Sequence, residues 1–148
     1  MSRPSLFALL AIILAMPSAV EAQETGEPGD VNAPARVIEI TMQDARGQLV
    51  FAPDTVTVTQ GEQIRFRLKN EGELDHEFVL GSAEDLQEHA EMMKAMPNSE
   101  HEAANGKRVV AKGTGDLVWR FAKAGTFEFA CLVPGHFEAG MHGTIIVK

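Results

Sequence analysis

The sequence predicts an all-β fold, a sandwich or barrel of short antiparallel strands, with one short helical insertion. Between positions 37 and 148, most stretches alternate apolar and polar residues with a period of two, and turn residues separate most of them. Many short strands with turns between them are typical of sandwiches and barrels. The segment 83–96 differs, because it lacks β-branched residues and is rich in Glu, Ala, Leu and Met, which favour helix.

The first 22 residues predict a secretory signal peptide. Arg3 supplies the basic start, Leu6 to Met16 form a short apolar run, and Ala22 ends a small-residue cleavage motif. The run is short for a membrane span, although an uncleaved N-terminal anchor is the alternative. Residues 23–36 are rich in Gly, Pro and acidic residues and predict a flexible leader, disordered or extended. One domain remains, at residues 37–148.

Within that domain, each element follows from its own pattern. Ser82 is placed to cap the helix, and Asp85 three residues later makes a loose capping box. Strands are predicted at residues 38–42, 56–58, 64–68, 76–80, 109–112, 117–121, 126–131 and 144–148.

Charge and cysteine content exclude several classes of function. The formal net charge of −8 argues against binding to nucleic acid or to anionic lipid, both of which require a basic surface. The single cysteine of an exported chain excludes an internal disulfide. It leaves intermolecular pairing, a free thiol or a metal ligand.

A metal site is predicted near the C-terminus. Cys131 is followed by His136 five residues later and by Met141 after five more, and His76 lies far upstream. Strand parity places Cys131 on the face of Phe127 and Phe129, and His76 on the face of its own apolar neighbours, so both side chains point inward. Thiolate, imidazole and a weak axial thioether are the ligand set of a blue copper site.

Alternatives stand beside each of these residues. Cys131 alone fits a small buried apolar side chain, His76 an ordinary hydrogen-bonded histidine, and Met141 core filler. Zinc also accepts cysteine and histidine, although a methionine ligand favours copper. The combination of residue types and parity indicates copper. His142 is predicted to point away, to the surface.

The helical segment suggests a second site. His89, Met92, Met93 and Met96 fall on one helical stripe, and thioether and imidazole are Cu(I) ligands. The alternative is that the methionines only pack on the sandwich, because Leu86, Ala90 and Met93 make an equally good packing stripe.

These motifs resemble the cupredoxins, the blue type 1 copper proteins, from about Val37 to Lys148. The resemblance implies a Greek-key β-sandwich with one type 1 copper. It also implies His76, Cys131 and His136 as equatorial ligands, Met141 as the axial ligand, and His136 near the surface. The ligand loop, the sequence Asp75 to Gly81 and the Met-rich insertion are similar to the copper-tolerance cupredoxins called CopI, which implies a bacterial periplasm.

One residue departs from the family pattern. Many cupredoxins carry Asn directly after the first histidine ligand, whereas this chain has Glu77. Because groups around the ligands tune a metal, we predict that Glu77 influences the reduction potential or its pH dependence.

Two functions follow from the resemblance. The first is copper tolerance, in which the protein binds and handles a redox-active copper and acts with a copper-transfer or redox partner. The second is a soluble electron shuttle. A monomer is expected for both functions. Independent catalysis is not expected, because the sequence has five histidines, no His-x-His pair and one domain. A plain adhesion module would leave the ligand loop unexplained.

Overall fold

The computed structural model describes residues 25–45, 47–96 and 103–148, so the predicted signal peptide at 1–22 lies outside the described residues. Strands alternate with turns throughout these ranges, and a single helix interrupts them. In chain order, the elements of the described ranges are β1 (Glu27–Pro28), β2 (Arg36–Ala45), β3 (Gln48–Ala52), β4 (Thr55–Val58), β5 (Gln63–Asn70), β6 (His76–Gly81), α1 (Ala83–Ala95), β7 (Gly106–Val109), β8 (Thr114–Arg120), β9 (Gly125–Ala130) and β10 (His142–Val147).

The strands form two five-stranded sheets, in the orders β1-β8-β5-β2-β3 and β4-β10-β9-β6-β7. Two pairs, β2 with β5 and β4 with β10, are parallel, and the others are antiparallel. The sheets are mixed because the chain passes through the opposite sheet between β2 and β5, as parallel pairing requires a crossover. The predicted sandwich with one short helix is confirmed.

The core lies between the sheets, and its aromatic side chains support the metal-ligand end. Phe78 and Phe129 are fully buried, with ring centroids 5.0 Å apart. Each such burial stabilises the fold by about 2 kcal/mol. Phe78 lies two residues after His76, and Phe129 two residues before Cys131. The predicted ligands therefore continue the buried face of each strand.

The structure describes the leader from residue 25 onward, and this part is hydrogen-bonded to the sandwich. In its described part, Glu27–Pro28 pairs with β8. The Asp30 amide donates to Gln63 Oε1 at 2.9 Å, and Gln63 Nε2 donates back to the Asp30 carbonyl at 3.0 Å. Arg65 Nη2 donates to the Val31 carbonyl at 2.6 Å. The leader is held by hydrogen bonds from side chains of β5. No apolar pattern in the leader itself could indicate these bonds.

Two strands also differ from prediction. β3 has no counterpart in the strands predicted from the sequence, and β7 lies at residues 106–109 rather than 109–112. The shift has a physical cause, since the chain turns directly after Val109. The Gly113 amide donates to the Val110 carbonyl at 2.9 Å, and Lys112 has a φ of 60°, which no regular strand accommodates.

Helix α1 begins as the sequence predicted. Ser82 Oγ accepts the Asp85 amide at 3.1 Å, and the Asp85 carboxylate accepts the Ser82 amide at 3.2 Å, which completes a capping box. Leu86 and Met93 are buried against the outer face of β6 and β9. In the described ranges, no helix has the length and apolar character needed to cross a membrane.

Candidate metal centre

Neighbouring strands bring the predicted ligands to one end of the second sheet. His76 is the first residue of β6, and Cys131 follows the last residue of β9. Because β6 and β9 are antiparallel neighbours, the start of one meets the end of the other. His136 lies in the loop between β9 and β10, and Met141 directly precedes β10.

Three ligand atoms converge in this space. The Nδ1 atoms of His76 and His136 are 3.2 Å apart. Cys131 Sγ lies 3.3 Å from His136 Nδ1 and 3.9 Å from His76 Nδ1. All three atoms lie within 4.8 Å of one another. His76 and Cys131 are fully buried, whereas His136 is only partly buried.

The arrangement fits a copper ion by the chemistry of its donors. A neutral imidazole has one bare nitrogen, and here two Nδ1 atoms and one thiol face a single point. Such a set is held together by a cation, or by a proton that it shares. Imidazole and thiolate are copper ligands. His76, Cys131 and His136, with Met141 beside them, therefore fit a type 1 copper site.

Met141 is anchored next to the thiol. It is fully buried and belongs to the same core cluster as Cys131. Its carbonyl accepts the Cys131 amide at 3.0 Å, and its own amide donates to the His136 carbonyl at 3.1 Å. Gly135 and Gly140 have φ values of +88° and +97°, so the loop turns where only glycine is unstrained.

The metal-free centre is neutral. Burial raises the pKa of the Cys131 thiol to about 12, although amide groups at Glu77 and Val133 oppose the shift. Burial lowers the pKa of His76, and the nearby charge of His136 lowers it further. Burial also lowers the pKa of His136. At neutral pH the thiol therefore keeps its proton and the imidazoles are uncharged.

Glu77 contacts the centre through its backbone. Its amide N–H donates to Cys131 Sγ at 3.3 Å. Its side chain lies on the opposite face of β6 and lines a recess under helix α1. The carboxylate adds an electrostatic contribution that raises the pKa of the Cys131 thiol. Its predicted influence on the potential stays a prediction.

The segment before His76 is held by two side chains. The Asn70 amide nitrogen donates to the carbonyls of Leu74, Val109 and Val110 at 2.8, 3.1 and 3.1 Å. The Asn70 oxygen accepts the Gly72 amide at 2.9 Å. These four bonds fix the path by which the chain enters β6.

Asp44 is the second side chain that holds this segment, and the sequence patterns did not indicate it. Both of its carboxylate oxygens accept the Glu73 amide, at 3.0 and 2.8 Å. Gly72 packs so closely on this carboxylate that a Cβ would overlap it. The charge of Asp44 also raises the pKa of His76 and His136, against the effect of burial. No local pattern marks Asp44, which lies in β2 and meets the segment only through the fold.

The methionines of the helical stripe differ in exposure. Met93 is 4% exposed and packs in a cluster with Leu86, while Met92 and Met96 are 38% and 48% exposed. Ala90 packs against the same cluster, so the alternative packing stripe is the one that meets the sandwich. His89 is partly buried and lines the recess beside Met93.

His142 is exposed, as the sequence predicted. Its ring lies 5.1 Å from that of Phe137, outside the ligand cluster.

Comparison with known proteins finds a family and relatives that are all described as copper proteins. Residues 38–148 match the family of copper binding proteins described as the plastocyanin/azurin family. The chain is 47% identical over 123 residues to the copper-resistant cuproprotein CopI of Rubrivivax gelatinosus, covering 83% of this chain and 73% of that protein. It is 32% identical to CopI of Pseudomonas aeruginosa, covering 90% of this chain and 88% of that one.

Solved structures share the fold. Auracyanin B superimposes with a TM-score of 0.69 at 20% identity, covering 82% of this chain and 94% of that one. Auracyanin A of Chloroflexus aurantiacus, a blue copper protein, gives 0.64 at 23% identity, covering 78% and 100%. The chain belongs to the plastocyanin/azurin family of copper-binding proteins, the cupredoxins, and within it is similar to CopI.

Proposed function

We propose that the protein confers copper tolerance by binding copper at the centre of His76, Cys131, His136 and Met141. The observation that carries this proposal is the convergence of three donor atoms within 4.8 Å at one end of the second sheet. The similarity to proteins named copper-resistant cuproprotein, at 47% and 32% identity, supports tolerance as the role.

The site supports a redox-active copper. Cu(II) and Cu(I) prefer different geometries, and a thiolate with two imidazoles and a weak thioether suits both. Three of the four ligands lie on or directly beside strands, and the fourth, His136, lies in a loop braced by backbone hydrogen bonds. Little rearrangement would accompany a change of oxidation state. The bound metal would supply one-electron chemistry, and the chain would supply the rigid ligand frame.

We place this role in the periplasm, on the strength of the predicted signal peptide. Cell fractionation should recover the protein with periplasmic markers, and its N-terminus should be Gln23. Recovery of the full-length chain in the membrane would instead support the uncleaved anchor.

The tolerance role is tested by growth on copper. A deletion strain should grow poorly at copper concentrations that the parent tolerates, and the wild-type coding sequence should restore growth. Cys131→Ser should not restore it, whereas a variant of an exposed residue away from the centre, Lys123→Ala, should. Growth unaffected by the deletion would count against tolerance.

Electron transfer is the second candidate, and one observation favours it. His136 is only partly buried while His76, Cys131 and Met141 are fully buried, so a single ligand connects the centre to the surface. If the protein is an electron shuttle, its deletion should leave copper tolerance unchanged and should reduce the activity of a respiratory or photosynthetic chain.

We infer that the chain is monomeric and has no catalytic activity of its own. Five histidines and one domain offer little for the additional copper sites that copper oxidases use. Light scattering should give the mass of one chain, and the copper-loaded protein should not consume oxygen with phenolic or Cu(I) substrates. A dimer mass or steady oxygen consumption would overturn these two inferences.

A further inference from the structure

We propose that helix α1 positions the ligand loop, residues 131–141 between β9 and β10, and thereby sets the rate at which copper leaves the centre. Lys94 and Phe137 are the positioning residues, and His136 is the ligand that they hold. This inference rests on the proposed copper-binding function and concerns how the same centre exchanges its metal.

The ligand loop packs toward the helix at two residues, each of which directly follows a ligand. Leu132 follows Cys131 and is buried in the apolar cluster that α1 forms with β6 and β9. Phe137 follows His136 and packs, partly buried, against the same cluster. Cys131 itself belongs to the inner core between the sheets. The chain next to both ligands is therefore held from the side of the helix.

An ion pair joins the helix to the loop at the next residue. Lys94 Nζ lies 3.2 Å from Glu138 Oε1 and 3.0 Å from Glu91 Oε1, so one ammonium group bridges the loop and its own helix. The Glu138 amide, the Lys94 ammonium and the Gly135 amide all lower the pKa of the Glu138 carboxyl. The charged carboxylate therefore lies between the helix and the residue that precedes His136.

Backbone hydrogen bonds shape the loop without tying it to the sandwich. In the described part of the chain, those of residues 133–140 run within the loop, as in the bond of 2.9 Å from the His136 amide to the Val133 carbonyl. Val133 packs against the inner core and anchors the first half of the loop. Phe137 and Glu138 anchor the second half to the side of the helix.

His136 is the ligand at which copper exchange would begin. It is only partly buried, whereas the other three ligands are fully buried. Detachment of His136 from the metal requires the second half of the loop to move outward. That movement separates Glu138 from Lys94 and withdraws Phe137 from the apolar cluster, so both contacts oppose it.

The expected effects follow from the two kinds of contact. The side chains of Lys94 and Glu138 are 47% and 54% exposed. An exposed ion pair contributes modestly, so its loss should speed copper release about two- to fivefold. The apolar contact of a partly buried aromatic ring contributes more, so Phe137→Ala should speed release on the order of tenfold.

The test is release of copper from the mature protein, loaded anaerobically with one Cu(I), into excess bathocuproine disulfonate. At saturating chelator the rate constant no longer depends on chelator concentration, so it reports a step of the protein. At about 10 mM salt, Lys94→Gln should release copper about two- to fivefold faster than wild type, and Lys94→Arg should restore the wild-type rate. The difference should nearly vanish at about 1 M salt, because salt screens exposed ion pairs.

Two control variants separate the loop contact from charge alone. Glu91→Gln removes the other carboxylate beside Lys94 and leaves the pair with Glu138. Lys123→Gln removes an exposed lysine that precedes β9, at the end of that strand remote from the loop. Both controls should release copper at the wild-type rate. Wild-type rates in Lys94→Gln or Phe137→Ala, or a control as fast as Lys94→Gln, would overturn the proposal.

NMR spectra of the Cu(I) protein give a readout that stability alone would not change. Cu(I) is diamagnetic, so the ring resonances of the ligands remain visible. Lys94→Gln should shift the His136 and Phe137 resonances, leave those of His76 nearly unchanged, and keep the urea midpoint of the metal-free protein. Equal shifts at His76 would show a general change of structure and would overturn a specific role for the helix.

The outcomes distinguish this inference from the function on which it rests. Equal release rates in proteins that show the thiolate band on oxidation would overturn only the role of the helix. A wild-type protein that binds no copper would remove the proposed centre, and this inference with it.

Discussion

The thiol of Cys131 is protonated in the metal-free protein, because burial raises its pKa to about 12. The pKa values of His76 and His136 are lowered by burial, so both rings are neutral at pH 7. Copper binding requires the thiolate and bare imidazoles, so one proton must leave, and it comes from sulfur.

This predicts release of about one proton per copper at neutral pH. The apparent affinity should then rise about tenfold for each pH unit between roughly pH 7 and 9. Isothermal titration in buffers of different ionisation enthalpy measures the proton count. Release of two or more protons would mean that the histidines are charged in the metal-free protein, contrary to their lowered pKa values.

Asn70 is the residue that orders the approach to His76. The change Asn70→Ala removes hydrogen bonds to three carbonyls and one amide, and the Val109 carbonyl lies in a buried region. Leaving such groups unpaired should lower the free energy of unfolding by about 2–3 kcal/mol. Urea denaturation of the metal-free protein measures it. The control Gln43→Ala, which loses one exposed hydrogen bond of 3.3 Å, should change stability little.

Glu77 places a negative charge next to the copper centre. Negative charge stabilises Cu(II) over Cu(I), so Glu77→Gln should raise the reduction potential, on the order of tens of millivolts. The backbone N–H to sulfur is retained, so the absorption spectrum should keep its form. Redox titration across pH measures the potential, with Glu88→Gln on the exposed side of helix α1 as the control. An unchanged potential at every pH would exclude a role for the carboxylate.

At the scale of elements, the Arg36–Glu62 ion pair joins the start of β2 to the turn before β5. Arg36 Nε and Glu62 Oε1 are 2.6 Å apart, and Glu62 Oε2 also accepts the Thr59 amide. The hydrogen bond from Arg36 is the main cause that lowers the pKa of Glu62. A carboxylate whose folded-state pKa is lowered stabilises the fold above its unfolded pKa, and this stabilisation is lost as pH falls through the folded-state value.

Glu62→Gln should therefore reduce stability at pH 7 by about 0.5–1 kcal/mol, since the pair is partly exposed and screened by solvent. The difference from wild type should shrink as pH falls from about 5 to 3. Thermal unfolding across this range measures it. Glu39→Gln removes a more exposed pair, with 3.8 Å between Arg67 Nη1 and Glu39 Oε1, and should have little effect. An equal loss in both variants would contradict a specific role for Glu62.

Elements with local signals were predictable. The capping box of Ser82 and Asp85 can be recognised from residues close in sequence. So can the inward direction of His76 and Cys131, and the structure shows both features. The position of β7 and the order of the leader were not predictable. The first depends on the turn at Lys112, and the second on hydrogen bonds from Gln63, which is remote in sequence.

At the scale of the whole molecule, the sandwich brings together ligands that are 65 positions apart, from 76 to 141. The ligand types could be predicted because copper chemistry restricts them to few residues. The hydrogen bond between Asp44 and the Glu73 amide could not be predicted. Asp44 lies in β2, which comes close to the segment before His76 only because of the strand order in the folded protein. Residue chemistry thus indicates the metal, while the fold determines which other side chains hold it.

Both proposed functions depend on a copper–thiolate bond at Cys131. The most direct measurement is the visible spectrum of mature protein loaded anaerobically with one equivalent of Cu(I) and then oxidised. We predict an intense blue or green thiolate-to-copper band that is present in wild type, retained in Met92→Leu and absent in Cys131→Ser. A colourless wild-type protein that has nonetheless bound copper would contradict the proposed centre.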